Sequence, residues 1–202
     1  MHSNASSVNI ADDVLIQQYR RGDSSAMEQL VFKYQGRLFN TILRICTNHD
    51  DAAELTQETF VKIIENIDKF QGKSSFYTWA FRIAVNLTLN HCRRRAKIRF
   101  RSMDAEDDHV SENASQLLRD VLSDETSPNP VDLAQNKELS EIIAKSLMKL
   151  DEMHRTVITL RDIEGMSYAQ MAKVLRTELG TVRSRLSRAR AHLREILEAV
   201  LE

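Results

Sequence analysis

LRDIEGMSYAQMAKVL at 160–175, followed by GTVRSRLSRARAHL at 180–193, is the stretch that decides the fold. Ser167 is suited to cap a short helix, YAQMAKVL, because its hydroxyl can accept a hydrogen bond from a first-turn N–H. A turn falls near Arg176–Leu179, and Gly180 or Thr181 opens a longer helix that runs to the C-terminus. Within it Val182, Leu186, Ala189, Leu193 and Ile196 recur at three and four residues, the period of a helix with one buried face. The same phase turns Arg183, Ser184, Ser187, Arg188 and Arg190 outwards. A short helix, a turn and a second helix with an arginine-rich outer face make a helix-turn-helix candidate. Arginine suits that face because its fork can bond guanine O6 and N7 together, or a phosphate. A terminal helix with a merely solvated basic face has the same pattern.

The rest of the chain points to helices as well. Five glycines and two prolines in 202 residues are few for a sheet protein, which spends both on turns. The formal net charge of −1 hides a strong asymmetry. Basic residues crowd into 93–101 and 173–194, and acidic ones (Asp104, Glu106, Asp107, Asp108, Glu112, Asp120, Asp124, Glu125) into the stretch between. Attraction to phosphate falls off within a Debye length of about 8–10 Å, so these local runs matter more than their sum. Cys46 and Cys92 form no CxxC pair, which argues against a disulfide framework and fits a reducing cytoplasm. The start MHSNASSVNI lacks the apolar core of a signal peptide, and no apolar run approaches the ~18–20 residues of a membrane span. A cytoplasmic protein without membrane insertion is expected.

The expected architecture is all-α: two small helical domains joined by an acidic linker, the C-terminal one containing the helix-turn-helix. A disordered tail is expected over 1–10, a first domain over 11–100, a flexible linker over 101–132 and a second domain over 133–202. In the first block Gly22-Asp23-Ser24 ends one helix and caps the next, which carries Ala26, Leu30, Tyr34 and Leu38 at intervals of four. A third helix follows Asn48, with Phe60, Ile63, Ile64 and Ile67 as its apolar face, and Ser74 or Ser75 caps a fourth beginning FYTWAFRIAVN. The linker is acidic, contains Ser-Pro-Asn-Pro at 127–130, and is long enough to let two domains sit apart on a partner.

Two further constellations stand out. In the fourth helix Trp79, Ile83 and Leu87 share one face, and Thr78, Arg82, Asn86 and Asn90 run along a neighbouring stripe. Asparagine offers a donor and an acceptor together, which matches an adenine or an exposed Watson–Crick edge. Phe70, Phe76 and Tyr77 precede them, where aromatic faces can stack on unpaired bases or fill a core. In the third helix Asp51, Glu54, Gln57 and Glu58 form an acidic stripe, suited to an arginine-rich partner or simply to solubility. The six histidines are scattered, and there is no GxxxxGK[ST], GxSxG or HExxH signature. No catalytic residues, metal or cofactor are expected.

DAAELTQETFVKIIENIDKF at 51–70 with FYTWAFRIAVN at 76–86 resembles the second conserved region of extracytoplasmic-function (ECF) sigma factors. LRDIEGMSYAQMAKVL with GTVRSRLSRARAHL resembles their fourth region, and the likeness covers about 11–98 and 136–198. The resemblance implies a promoter-reading subunit of bacterial RNA polymerase, with core polymerase (β′ clamp and β flap), promoter DNA and an anti-sigma factor as partners. It implies that Asp51, Glu54, Gln57 and Glu58 dock on the clamp, and that Phe70, Arg82, Asn86 and Asn90 capture the melted −10 strand. Arg183, Ser184, Ser187, Arg188 and Arg190 would then read the −35 element. Ser187 stands where relatives often carry a larger side chain, and the turn Arg176-Thr177-Glu178-Leu179 lacks their usual proline. A sigma-like decoy for an anti-sigma factor would not need Asn86 or the arginine face. A conventional helix-turn-helix regulator would leave 51–90 without a purpose.

Overall fold

The computed structural model describes residues 11–101, 139 and 141–201, and all regular structure among them is helical. The expected tail over 1–10 and nearly all of the expected linker over 101–132 lie outside the described residues. In α1 (Asp12–Arg20), Asp12 and Asp13 in the first turn and Arg20 in the last complement the helix dipole. Gly22 takes a φ of 100°, a conformation costly for any side chain, and Asp23 then caps α2 (Ser24–Cys46) by accepting from Ser25 N at 3.0 Å. Asn48 caps α3 (His49–Asn66) through a 2.9 Å bond from Asp51 N. A short 3₁₀ turn, Ile67–Lys69, ends it. Ser75, rather than Ser74, starts α4 (Phe76–Arg101), its Oγ accepting from Thr78 N at 3.2 Å.

The second half begins with the helical residues 141–148 (α5). Asp151 caps α6 (Glu152–Ile158), which continues as a π-helical turn over Thr159–Ile163, closed by Glu164 N bonding to Thr159 O at 2.9 Å. The sequence pattern predicts a plain helix ending before Gly165. The wide turn is the difference, and it has no signature in local periodicity. Then come α7 (Tyr168–Leu175) and α8 (Leu179–Leu201), which starts one residue before the expected Gly180 because Glu178 O already accepts from Val182 N.

The core is continuous between the two halves. Leu30, Leu38, Ile42, Leu43 and Ile45 of α2 are fully buried, with Ile63 of α3 and Phe81 and Val85 of α4 around them, and Val157, Leu160 and Val182 belong to the same cluster. The C-terminal turns of α2 bury Thr41 and Arg44 as well as their apolar neighbours, because this end of the helix is covered from both sides. Ile64, expected on the apolar face of α3, is instead exposed beside Val61. Cys46 and Cys92 are free thiols, and burial pushes Cys46 up to about 12 and Cys92 up to about 11, so both stay protonated at neutral pH. Among the described residues no helix is long and apolar enough to cross a membrane.

Two arginines tie distant segments together through main-chain carbonyls. Arg20 donates to Ile67 O (2.5 Å) and Phe70 O (2.6 Å), so the end of α1 holds the loop between α3 and α4. Arg155 is buried; its Nε donates to Ile45 O at 3.0 Å and its Nη1 to Met148 O and Leu150 O at 3.2 Å. Burial disfavours its charge, and Glu152 partly offsets this. Removing the guanidinium strands buried carbonyls, each costing about 1–3 kcal/mol. Arg155→Ala should therefore destabilise the chain by roughly 2–4 kcal/mol in urea unfolding. An unchanged midpoint would mean that those carbonyls find other donors.

Candidate nucleic-acid interface

The stripe Arg82–Asn86–Asn90 and the stripe Trp79–Ile83–Leu87, adjacent in the sequence pattern, line one cleft of about 490 Å³. Lys62, Asn66 and Lys69 form its opposite wall, and Arg176 reaches in from the turn between α7 and α8. The cleft thus combines four cations, three amides and an indole. Periodicity along α4 exposes the first two stripes, whereas the contributions from α3 and from position 176 depend on tertiary packing. Arg176 has a φ of 50°, the left-handed cap that ends α7, with its N–H bonded to Ala172 O. That conformation costs a non-glycine residue about 1 kcal/mol and sends a long cation out of the turn.

The aromatic residues before α4 behave differently from a stacking platform. Phe70 and Phe76 are buried, and Phe70 packs on Trp79 (ring centroids 5.2 Å apart) and Phe76 (6.1 Å). Phe70 therefore backs the cleft instead of opening onto it, since the ring has more apolar surface to bury than a loop residue can leave in water. Thr78 is also buried, its hydroxyl 3.0 Å from Ser75 Oγ at the start of α4. Asn86 lies at the edge of the cleft with both donors engaged, one to Arg82 O (2.5 Å) and one to Val174 O of α7 (3.1 Å). Asn90 is exposed.

On α3, Glu54 and Gln57 are exposed and Glu58 half-buried, next to the exposed Val61 and Ile64. Asp51 is drawn to the other side. It accepts from Arg95 Nη1 at 2.5 Å and lies 3.2 Å from His91 Nε2, both on α4. The sequence pattern groups all four side chains, and the structure keeps three together.

The helix-turn-helix forms as the pattern predicts. Ser167 Oγ accepts from Gln170 N (3.2 Å) and Gln170 Oε1 from Ser167 N (2.8 Å), a capping box that starts α7. Val182, Leu186 and Ala189 are buried, with Leu193 and Ile196 partly so. Arg183, Ser184, Ser187, Arg188 and Arg190 are all exposed. Arg190 is held by Asp162 of the π turn through Nε at 3.1 Å and through a second, shorter bond from Nη2. That hydrogen bond keeps its guanidinium more basic than usual. Arg183 and Arg161 both stand over the Tyr168 ring, at 5.8 and 5.0 Å, an arrangement that orients Arg183 before any ligand arrives. Among the described residues no group of His, Cys, Asp or Glu is placed to hold a metal ion.

A chain whose described residues are helical, with a cationic, amide-lined cleft and a helix-turn-helix whose arginines face outwards, has the parts of a DNA reader. Comparison with known proteins makes that class specific. Residues 30–98 match the family described as sigma-70 region 2, and residues 140–193 match sigma-70, region 4. The RNA polymerase sigma-H factor of Pseudomonas aeruginosa is 36% identical over 191 residues, spanning 94% of this chain and 95% of that protein. The ECF RNA polymerase sigma-E factor of Escherichia coli K12 is 33% identical over 187 residues, covering 91% and 93%. The solved structure of CnrH in complex with the cytosolic domain of CnrY superposes with a TM-score of 0.63 at 27% identity, covering 94% of this chain and 99% of that one. The chain belongs to the ECF branch of the sigma-70 family of RNA polymerase sigma factors.

Ser167→Ala removes one bond of the capping box and should cost about 1 kcal/mol of stability, read as a lower urea midpoint with an unchanged slope. A changed slope would mean that the residue holds more of the second half together than the start of α7.

Proposed function

We propose that this sigma factor divides its surface into three working parts and leaves catalysis to the polymerase. Glu54, Gln57 and Glu58, with Val61 and Ile64 beside them, dock on the β′ clamp. Asp51 braces the inner edge of that face against Arg95. An apolar pair rimmed by carboxylates suits a basic helical partner, where charge steers the encounter and the buried aliphatic side chains give affinity. The second half docks on the β flap.

Arg82, Asn86 and Asn90 read the unpaired −10 strand in the cleft, with Lys62 and Lys69 drawing in phosphates and Phe70 supporting Trp79 from behind. The observation that carries this reading is the convergence of amides, cations and an indole in one cleft, alongside the separate exposed arginine face of α8. Unstacking a base costs a few kcal/mol, which hydrogen bonds and stacking must recover. A site that binds only the melted strand shifts the promoter from closed to open, because it has differential affinity for the two states. Arg183, Ser184, Ser187, Arg188 and Arg190 read the −35 duplex and set register. Arg190 must exchange Asp162 for DNA to do so, whereas Arg183 is already oriented.

The chain works in the cytoplasm, where polymerase and promoter are. An anti-sigma factor restrains it; the sigma factor RpoE of Bartonella quintana, solved in complex with the anti-sigma factor NepR, gives the precedent. The test is run-off transcription by purified core polymerase, with and without this chain, on a library of randomised promoters. Transcripts that require the chain and share paired −35 and −10 motifs are expected. Arg183→Ala should weaken −35 duplex binding by about 1–3 kcal/mol, roughly 5- to 150-fold. Asn86→Ala should slow promoter melting while leaving −35 binding intact. A chain that binds neither polymerase nor promoter would sink the reading in favour of a decoy.

A further inference from the structure

The two halves meet around one buried carboxylate. Glu164, at the end of the π turn, is almost inaccessible, and its oxygens are met from the first half of the chain. Arg37 Nε donates to Oε2 at 2.7 Å, Thr41 Oγ1 to Oε1 at 2.8 Å and Tyr77 OH to Oε2 at 3.2 Å, with Arg44 Nη1 3.6 Å from Oε1. Further along α4, Asn86 gives its second amide proton to Val174 O of α7. We propose that Glu164 is an intramolecular latch: it holds the helix-turn-helix half over the −10 cleft, so that the free chain occupies its own base-reading amide with a main-chain carbonyl.

This deepens the −10 reading above and rests on it. An asparagine reads a base edge by giving and taking one hydrogen bond each. With both protons of Asn86 already committed, an unpaired base and Val174 compete for the same amide. The −10 strand therefore binds only the open chain, and its apparent affinity falls by the fraction of chains that are open. The chemistry of the latch suits reversible opening. A buried ion pair gains little net stability once its desolvation is counted, but it is highly specific in geometry, and its members are readily hydrated when apart. Polymerase docking and −35 binding engage the two halves at separate places, and so supply the opening energy that single-stranded DNA lacks.

The single tryptophan, Trp79, lines the cleft and reports its closure. The experiment uses the full chain, wild type and Glu164→Gln, and the −10 non-template oligonucleotide recovered from the run-off selection, labelled with fluorescein. Glu164→Gln should bind that oligonucleotide about tenfold tighter than wild type. Its Trp79 emission should be more readily quenched by acrylamide, and run-off transcription at saturating polymerase should stay within about twofold. A folded Glu164→Gln chain with wild-type affinity and wild-type quenching overturns the latch. If that variant does not fold, Arg37→Ala loosens the same carboxylate from its exposed rim and should move both readouts the same way; no movement overturns the proposal equally. Adding Asn86→Ala to Glu164→Gln separates the two ideas. Loss of the gained binding supports both. Gained binding that survives, with Trp79 still quenched more readily, places the failure in the −10 reading and leaves the latch standing.

Discussion

A carboxylate removed from water must be met by donors, and the donors that meet Glu164 come from α2 and α4, while the residue itself belongs to the second half. Much of the arrangement follows from that requirement. It fixes the end of the π turn against the last turns of α2, which is why Thr41 and Arg44 are buried at all. It brings α7 alongside α4 and so sets the contact between Val174 and Asn86. Arg155 acts in the same way with the opposite charge, satisfying Ile45 O from across the same boundary. A boundary built around two buried charged groups is defined in register by their geometry, and the apolar side chains between them supply cohesion without choosing a position.

The same partition of charge explains how a chain of nearly zero net charge can read nucleic acid. Cations gather on the cleft and on the outer face of α8, while some carboxylates stand exposed on α3 and others hold arginines in place. Asp162 holds Arg190, and Asp51 holds Arg95. These pairs are half-exposed and add little to stability. Their effect is on where a guanidinium points when nothing else is bound.

Much of the fold was legible because its signals are local. Asp23, Asn48, Asp151 and Ser167 announce helix starts by side-chain chemistry, and the spacing of Val182, Leu186 and Ala189 sets the buried side of α8 without reference to anything distant. The outward phase of Arg183 to Arg190 follows from the same spacing. What escaped the sequence depends on long-range packing. Asp51 carries the same charge and helical phase as Glu54 and Glu58, and only the position of Arg95 separates it from them. Phe70 reads as a loop aromatic until Trp79 and Phe76 close around it. Arg176 reads as a turn residue that replaces the usual proline neighbourhood, and its place in the cleft is visible only when α7 lies against α4. The π turn is illegible for a related reason, since its apolar spacing also fits an ordinary helix.

That wide turn makes the distance between two anchors a matter of counting residues. Arg155 and Glu164 both fasten to α2, one to a carbonyl of Ile45 and the other to the hydroxyl of Thr41. In an unbroken α-helix, at about 100° per residue, they would face opposite directions. The looser winding over Thr159–Ile163 takes up part of that rotation, so both can face the same helix. The segment therefore tolerates changes of residue type far better than changes of length. Losing a single residue there would swing one anchor off α2. Among relatives of this chain, insertions and deletions should accordingly be rarer between the two anchors than the variability of the intervening side chains alone would suggest.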